Sequence, residues 1–152
     1  METLQDDGSW VVTEFTKVAL GDERRNQRLL KIATDLSAHP SASFPEACRT
    51  KANLKALYRF FDTEEIEGDA ILEGHLNATL GRIADTSLVL AVQDTTEFDF
   101  THHQATTGMG PLANEGRQGI FAHSTLAITP ERVPLGLLSQ LVWSRDQEAG
   151  KK

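Results

Sequence analysis

The chain has 152 residues, of which 39% are hydrophobic and 24% charged, a composition that suits a soluble, folded chain of one or two small domains. No apolar run approaches the roughly 20 residues that a membrane-spanning helix needs, and the acidic N-terminus shows no secretory signal. The single cysteine, Cys48, excludes an internal disulfide, so we expect a protein of the reducing cytoplasm.

Charge is distributed unevenly along the chain. The formal net charge of −7 argues against a general nucleic-acid binder. Residues 15–60, however, contain nine Lys and Arg against four Asp and Glu, whereas residues 61–100 contain one against ten. A basic block can bind DNA by releasing counterions even in an acidic chain. Charge alone leaves open the alternative that the two blocks neutralise each other within the fold.

The first half of the chain predicts about four helices, each with its own start or stop signal. The first helix is Trp10–Leu20, and the second is capped by Asp22 and stopped by Pro40. The third begins at the capping-box sequence Ser43–Glu46 and has a possible break near Arg49–Thr50. The fourth is Asp69–Ile83.

Apolar residues at helical spacing predict which faces of these helices are buried. The expected core residues are Leu29, Ile32, Ala33 and Leu36 in the second helix, Leu54, Leu57, Tyr58 and Phe61 in the third, and Ile71, Leu72, Leu76, Leu80 and Ile83 in the fourth.

Basic residues form two stripes on the second and third helices. Arg24, Arg28 and Lys31 lie roughly opposite the apolar stripe of the second helix, and Arg25 flanks them. The spacing of four residues places Lys51, Lys55 and Arg59 on one face of the third helix. Both stripes could follow DNA phosphates, and both could equally be ordinary solvated faces.

The second half of the chain predicts strands. The apolar run Leu88–Val92 is typical of a strand buried on both faces. Ile120–Thr129 and Val133–Trp143 follow, the latter with a bulge expected at Gly136, and short turns indicate a three-stranded antiparallel meander. Helices followed by strands predict the α+β class. Because no later helix would cover this sheet, we expect it to be incomplete.

Asp94 is the most informative candidate for chemistry, because it is expected at the end of a buried strand. A carboxylate there is costly to bury unless it is paired or bound to a metal such as Mg²⁺. Capping of a turn is the alternative role. Glu97 and Asp99 are interpreted as solvated strand residues, His102-His103 as a loop pair, and His123 as a core histidine with its hydrogen bonds satisfied.

Short segments of this chain resemble elements of one protein family. Ala19–Leu29, with the sequence ALGDERRNQRL, is similar to the LGDxRRxxRL opening of bacterial insertion-sequence transposases with a DDE catalytic core. Lys55–Asp62 resembles the AxYRFxxN element of the same N-terminal DNA-binding domain, without its closing Asn. Leu90–Thr96 resembles the strand that carries the first catalytic aspartate, and Gly119–Ser124 and Pro134–Leu138 resemble the next two strands.

The resemblance implies two domains. Residues 1–84 would form a helical domain that grips double-stranded DNA of a transposon end, and residues 85–152 the first three strands of an incomplete RNase H-like core. In the family, Mg²⁺ or Mn²⁺ is held by Asp, Asp and Glu, of which only Asp94 can be placed here. We therefore expect no transposition by this chain alone. The residues expected to contact DNA are Arg24, Arg25, Arg28, Lys31, Lys51, Lys55, Tyr58 and Arg59.

Three hypotheses for the function remain at this point. The favoured one is a DNA-binding fragment of a bacterial transposase, located in the cytoplasm with the nucleoid. The second is a protein-interaction or dominant-negative regulatory module that pairs with a second copy or with a full-length transposase, because one sheet face would be uncovered. The third is a small phosphodiesterase that uses Asp94, Glu97 and His102 or His103.

Overall fold

The computed structural model describes residues 9–103, 105–114 and 116–146, and the remaining ends of both predicted domains lie outside these ranges. Helices come first and strands second, which confirms the α+β class. The boundary between two compact units falls between Leu80 and Gly81. The elements are α1 (Ser9–Phe15), α2 (Glu23–Ser37), α3 (Phe44–Cys48), α4 (Lys51–Phe61), α5 (Gly68–Ala84), β1 (Leu90–Asp99), β2 (Gly110–Pro111), β3 (Gln118–Ile128) and β4 (Pro134–Trp143).

The first helix is shorter than predicted, because α1 ends at Phe15 and not at Leu20. The amide of Val18 donates a hydrogen bond to the carbonyl oxygen of Phe15 at 3.1 Å in a turn that closes the helix. Val18 and Leu20 are both buried. Two residues spaced two apart cannot face the same side of an α-helix, so burying both requires the chain to leave the helical path.

The second helix has the cap and the buried face that its sequence predicts. Asp22 is the N-cap of α2, and its carboxylate accepts a hydrogen bond from the backbone amide of Arg24 at 2.7 Å. Leu29 and Ile32 are buried. The core of the first unit comprises Val18, Leu20, Leu29, Ile32, Cys48, Leu57 and Phe60.

The possible break near Arg49–Thr50 is confirmed, so the described residues form five helices where about four were predicted. Arg49 ends α3 in the left-handed region with φ of 57°. The hydroxyl of Thr50 then accepts a hydrogen bond from the amide of Asn53 at 3.1 Å and caps α4. The capping box of α3 is also present, with the Ser43 amide donating to the Glu46 carboxylate at 2.9 Å.

The buried face of α4 differs from the prediction at two aromatic positions. Leu57 and Phe60 are buried, whereas Tyr58 and Phe61 are 48% and 55% exposed. Each residue advances about 100° around a helix, so Tyr58 cannot share the inward direction of Leu57. The Phe44 ring lies 6.5 Å from that of Tyr58 and 6.2 Å from that of Phe61, and the three form an exposed aromatic cluster.

Helix α5 has nearly the predicted range, and its contact face matches the prediction only in part. Its buried residues are Gly74 and Thr79, whereas Leu80 is exposed. A Cβ atom at Gly74 would lie 2.2 Å from Cγ2 of Val18, so the absent side chain lets the two segments pack closely. Of the apolar residues predicted to face the core from α5, Ile71 packs against the core of the first unit, whereas the close approach to Val18 is made at Gly74, which the apolar pattern did not indicate.

The sheet of the second unit has β3 at its centre. β1 pairs with one edge of β3 and β4 with the other, both antiparallel, which confirms the predicted meander. The short β2 was not predicted and pairs Gly110 with Gly119 of β3. The bulge expected at Gly136 is confirmed, because the register shifts between Ala127 and Ile128 where Gly136 has φ of 141°.

Strand β1 is the clearest departure from the sequence prediction. The run Leu88–Val92 was expected to be buried on both faces, but every residue of β1 is exposed. β1 is an edge strand, and nothing in the described part of its unit covers it. The strand also continues to Asp99, so Asp94 lies in its middle and not at its end. Residues Thr95–Phe98 extend the strand because they remain paired with β3.

Candidate nucleic-acid interface

Five of the seven basic residues of the two stripes line one cleft in the first unit. The cleft lies between α2 and α4 and has a volume of about 540 Å³. Among the described residues that line it, five are basic and one, Asp22, is acidic. The basic residues are Arg24, Arg25 and Arg28 from α2, and Lys55 and Arg59 from α4.

Helical periodicity places these cations at the cleft. Arg24 and Arg28 are four residues apart on α2, and Lys55 and Arg59 are four residues apart on α4, so each pair forms a row one turn long. The buried residues Leu29 and Ile32 of α2 and Leu57 of α4 do not line the cleft. The arrangement gives two cationic walls that face a shared space.

The floor of the cleft is small and mostly apolar. Ala52 and Ala56 lie one turn apart on α4, and Thr63 and Ile66 follow that helix. Phe60 contributes only its edge, because it is 4% exposed. Sequence reasoning missed this floor, although the spacing of the two alanines beside the basic stripe was a signal that could have indicated it.

Asp22 and Arg24 form an ion pair at the rim of the cleft. Nη2 of Arg24 lies 3.2 Å from Oδ2 of Asp22, and the arginine side chain is 91% exposed. The hydrogen bond from the Arg24 side chain, with that from its amide, holds the pKa of Asp22 below its ordinary value. The same contact raises the pKa of Arg24 above its ordinary value. Because the pair is exposed, it can exchange for a phosphate contact at small cost.

Arg25 has a structural role in addition to lining the cleft. Its Nη1 donates to the carbonyl oxygen of Leu20 at 3.3 Å, and its Nη2 lies 3.4 Å from Oε2 of Glu65. These contacts tie the start of α2 to the turn after α4. We therefore expect Arg25 to be less available to a ligand than its neighbours.

Three of the five cations that line the cleft have no ion pair within the part of the chain that the structure describes. They are Arg28, Lys55 and Arg59. Their side chains line the cleft from both helices. A ligand anion would therefore not have to displace an acidic partner from them.

The other expected contact residues lie beside the cleft. Lys31 lines a shallower adjoining hollow of about 360 Å³ with Arg24, Gln27 and Arg28. It is ion-paired with Asp35, one turn further along α2. Lys51 and Tyr58 are exposed on α4 but are not among the residues that line the cleft.

In the second unit, Asp94 lies on an exposed face of the sheet. Strand alternation places it on the same face as Leu90, Val92 and Phe98. Its register partner on β3 is Ser124, whose hydroxyl accepts a hydrogen bond from Nε2 of Gln140 at 3.1 Å. A polar row thus crosses three strands in an otherwise apolar surface.

The other polar candidates of the sheet do not gather around Asp94. His123 is paired with Thr95, whose hydroxyl lies 2.7 Å from its Nδ1, so both lie on the opposite face. Asp99 holds the following turn through Thr101, which lowers the pKa of Asp99, and it is ion-paired with Arg117 at 3.1 Å. Asp99 is therefore a partnered residue and not merely a solvated one.

Residues 9–103, 105–114 and 116–146 contain no group of three or more His, Cys, Asp or Glu side chains that could hold a metal ion. Asp94 offers the hard oxygen ligand that Mg²⁺ prefers, but one carboxylate does not make a site. In the same ranges, no helix combines the length and the hydropathy needed to span a bilayer.

Comparison with known families bears on the first unit. Residues 7–66 match the family model described as transposase DNA-binding. The matched range contains α2, α4 and all five cations of the cleft. The N-terminal part of this chain thus resembles that of a transposase, and the match supports a DNA-binding role in transposition.

Proposed function

We propose that this chain is the DNA-binding portion of a bacterial insertion-sequence transposase of the DDE type, and that the α2–α4 cleft holds transposon-end duplex DNA at the nucleoid. One observation carries the proposal: cations from two separate helices line a single cleft within the segment that matches transposase DNA-binding domains. Phosphate contacts of this kind supply affinity by counterion release.

The charge balance of the chain is compatible with this role. The net charge is −7, but the cleft lining carries five cations and one anion. Local potential, and not net charge, governs where a polyanion binds. Glu65, which follows α4, is ion-paired with Arg25 and neutralises part of its charge. We therefore expect DNA to approach Arg28, Lys55 and Arg59 first.

For the second unit, we propose that β1, β3 and β4 are the first strands of an RNase H-like core and that Asp94 is its first catalytic aspartate. The support is the order of the strands and the position of Asp94 on an accessible face. The described residues around Asp94 do not make a metal site. We therefore propose that this chain alone performs no strand cleavage.

Binding of the 152-residue chain to a fluorescently labelled DNA duplex, followed by anisotropy, tests the DNA-binding function. The double variant Arg28→Ala with Arg59→Ala should bind about ten- to a hundredfold more weakly, because two charge-assisted contacts are lost. Lys17→Ala is the matched control, since Lys17 is exposed and does not line the cleft. Equal losses in both variants, or no binding by the wild-type chain, would refute the function.

An alternative role is a regulatory module that pairs with a second copy or with a full-length transposase. The observation in its favour is the apolar face of the sheet, on which Leu90, Val92 and Phe98 are all more than two-fifths exposed. Exposed apolar surface of this kind often marks a protein interface. Sedimentation of the wild-type chain and of Val92→Lys distinguishes the cases, because a self-associating chain would become monomeric with this substitution.

A further inference from the structure

We propose that the α2–α4 cleft accommodates the sugar–phosphate backbone of a single DNA strand, and that Ala52 and Ala56 determine the fit. This inference rests on the proposed DNA-binding function and specifies which part of the ligand enters the cleft. The cleft volume of about 540 Å³ falls in the size range of small-molecule sites, so the cleft is much smaller than a DNA duplex. Only the protruding backbone of one strand can reach the floor.

The distribution of charge fits a backbone. Arg24 and Arg28 form one wall, and Lys55 and Arg59 form the other, with about one helical turn between the members of each pair. Along the axis of a DNA duplex, successive phosphates of one strand are no further apart than one turn of an α-helix is long. We therefore expect a strand that runs through the cleft to contact cations from both helices.

The floor fits deoxyribose better than a base. Ala52, Ala56 and Ile66 present small aliphatic surfaces. Sites that hold unstacked bases use exposed aromatic side chains as stacking platforms. Among the described residues that line the cleft, Phe60 is the one aromatic, and it is almost completely buried. The exposed aromatic cluster of Phe44, Tyr58 and Phe61 is not part of the lining.

The alanines set the depth of the cleft. Ala52 is exposed and Ala56 half-buried, so larger side chains at these positions would extend into the space between the walls. Leucine is a good helix former and carries no charge. The substitutions Ala52→Leu and Ala56→Leu therefore fill the floor and leave every cation in place. A loss of DNA affinity would report the missing space and not a missing charge.

The test uses the whole chain and three labelled probes: a duplex, the corresponding single strand, and an abasic deoxyribose–phosphate strand of equal length. The wild-type chain should bind the abasic strand as well as the normal single strand, because the cleft contacts no base. Ala52→Leu with Ala56→Leu should weaken binding of all three about tenfold, because the filled floor would keep the backbone too far from the walls to form one of its charge-assisted contacts. Ala38→Leu, at an exposed position at the end of α2, should have no effect.

Circular dichroism and thermal melting establish that each variant is folded, and the single substitution Ala52→Leu, at the exposed position, provides a second test should the double variant unfold. Duplex binding that is unchanged by filling the floor would overturn the inference while leaving the DNA-binding function intact. Selective loss of binding to the abasic strand would also overturn it, because a base would then occupy the cleft. Absence of binding by the wild-type chain to every probe would instead refute the function itself.

Discussion

The carboxylate of Asp22 accepts hydrogen bonds from the backbone amide of Arg24 at 2.7 Å and from its Nη2 at 3.2 Å. One side chain thus caps α2 and holds a cation at the rim of the cleft. The two roles are separable by substitution, because asparagine is as good an N-cap as aspartate but carries no charge.

We predict that Asp22→Asn binds DNA about two- to fivefold more tightly than the wild-type chain, the scale of one exposed ion pair. The substitution removes the anion that competes with phosphate for Arg24. Its melting temperature should change little, whereas Asp22→Ala should melt lower because the cap is lost. Anisotropy titration and thermal melting measure the two effects. Weaker DNA binding by Asp22→Asn would show instead that Asp22 positions Arg24 for the ligand.

The close contact between Gly74 and Val18 gives a stability prediction. A Cβ at Gly74 would lie 2.2 Å from Cγ2 of Val18, whereas a Cβ at Gly81 of the same helix meets nothing within 4 Å. Gly74→Ala should therefore destabilise the protein by about 1–3 kcal/mol through overpacking. Gly81→Ala should stabilise it by about 0.5–1 kcal/mol through helix propensity. Urea unfolding compares the two, and equal shifts of the same sign would contradict the packing of α5.

Acid should destabilise the chain through three carboxyl groups whose pKa values are lowered. They are Asp22 through the Arg24 side chain, Glu46 through the Ser43 side chain, and Asp99 through the Thr101 side chain. A carboxyl with a lower pKa in the folded state binds fewer protons there than in the unfolded state. Its contribution is complete above the unfolded-state pKa, about 4, and is lost as pH falls through the folded-state pKa.

We therefore expect the melting temperature to fall between about pH 5 and pH 3. Glu46→Gln should start from a lower melting temperature at pH 5 and lose less of it on acidification, because glutamine does not titrate. Thermal melting across this range measures both. Parallel curves for the wild type and Glu46→Gln would contradict the contribution assigned to the capping box.

Asp94 belongs to no group of three or more metal-binding side chains among the residues that the structure describes, and we predict that this chain does not cut DNA. Plasmid incubated with the chain and Mg²⁺ or Mn²⁺ should remain supercoiled, as judged on an agarose gel. Asp94→Asn tests the one candidate ligand, and Glu97→Gln, on the opposite face of β1, is the matched control. Nicking that is lost in Asp94→Asn and kept in Glu97→Gln would show that Asp94 acts in DNA cleavage without Glu97, whereas nicking that is lost in both variants would restore the phosphodiesterase hypothesis.

Periodicity and capping signals in the sequence were sufficient to predict the start of α2 and its buried face. Asp22 caps it and Leu29 and Ile32 face the core, as predicted. In α4 the same reasoning failed at Tyr58, because apolar residues surround much of that helix and periodicity does not say which side a neighbour covers. Gly74 carries no hydrophobic signal at all, although it forms the close contact of α5.

Tertiary structure also accounts for what the sequence could not predict in the candidate sites. The two basic stripes were visible as separate faces, but their convergence depends on how α2 packs against α4. For strand β1, the sequence predicted burial that the fold does not provide. Its apolar start predicts burial, yet burial requires a covering element, and an edge strand without one is exposed. The position of Asp94 was misjudged for a related reason, since pairing with β3 extends the strand beyond it.

The salt dependence of DNA binding by the wild-type chain and by the triple variant Arg28→Ala, Lys55→Ala, Arg59→Ala tests the role of the cleft most directly. A plot of log affinity against log salt has a slope of about −0.9 for each phosphate neutralised on duplex DNA. We predict a steep slope for the wild type and a slope shallower by two to three contacts for the variant. Identical slopes, with the variant still folded, would show that DNA does not bind at the α2–α4 cleft.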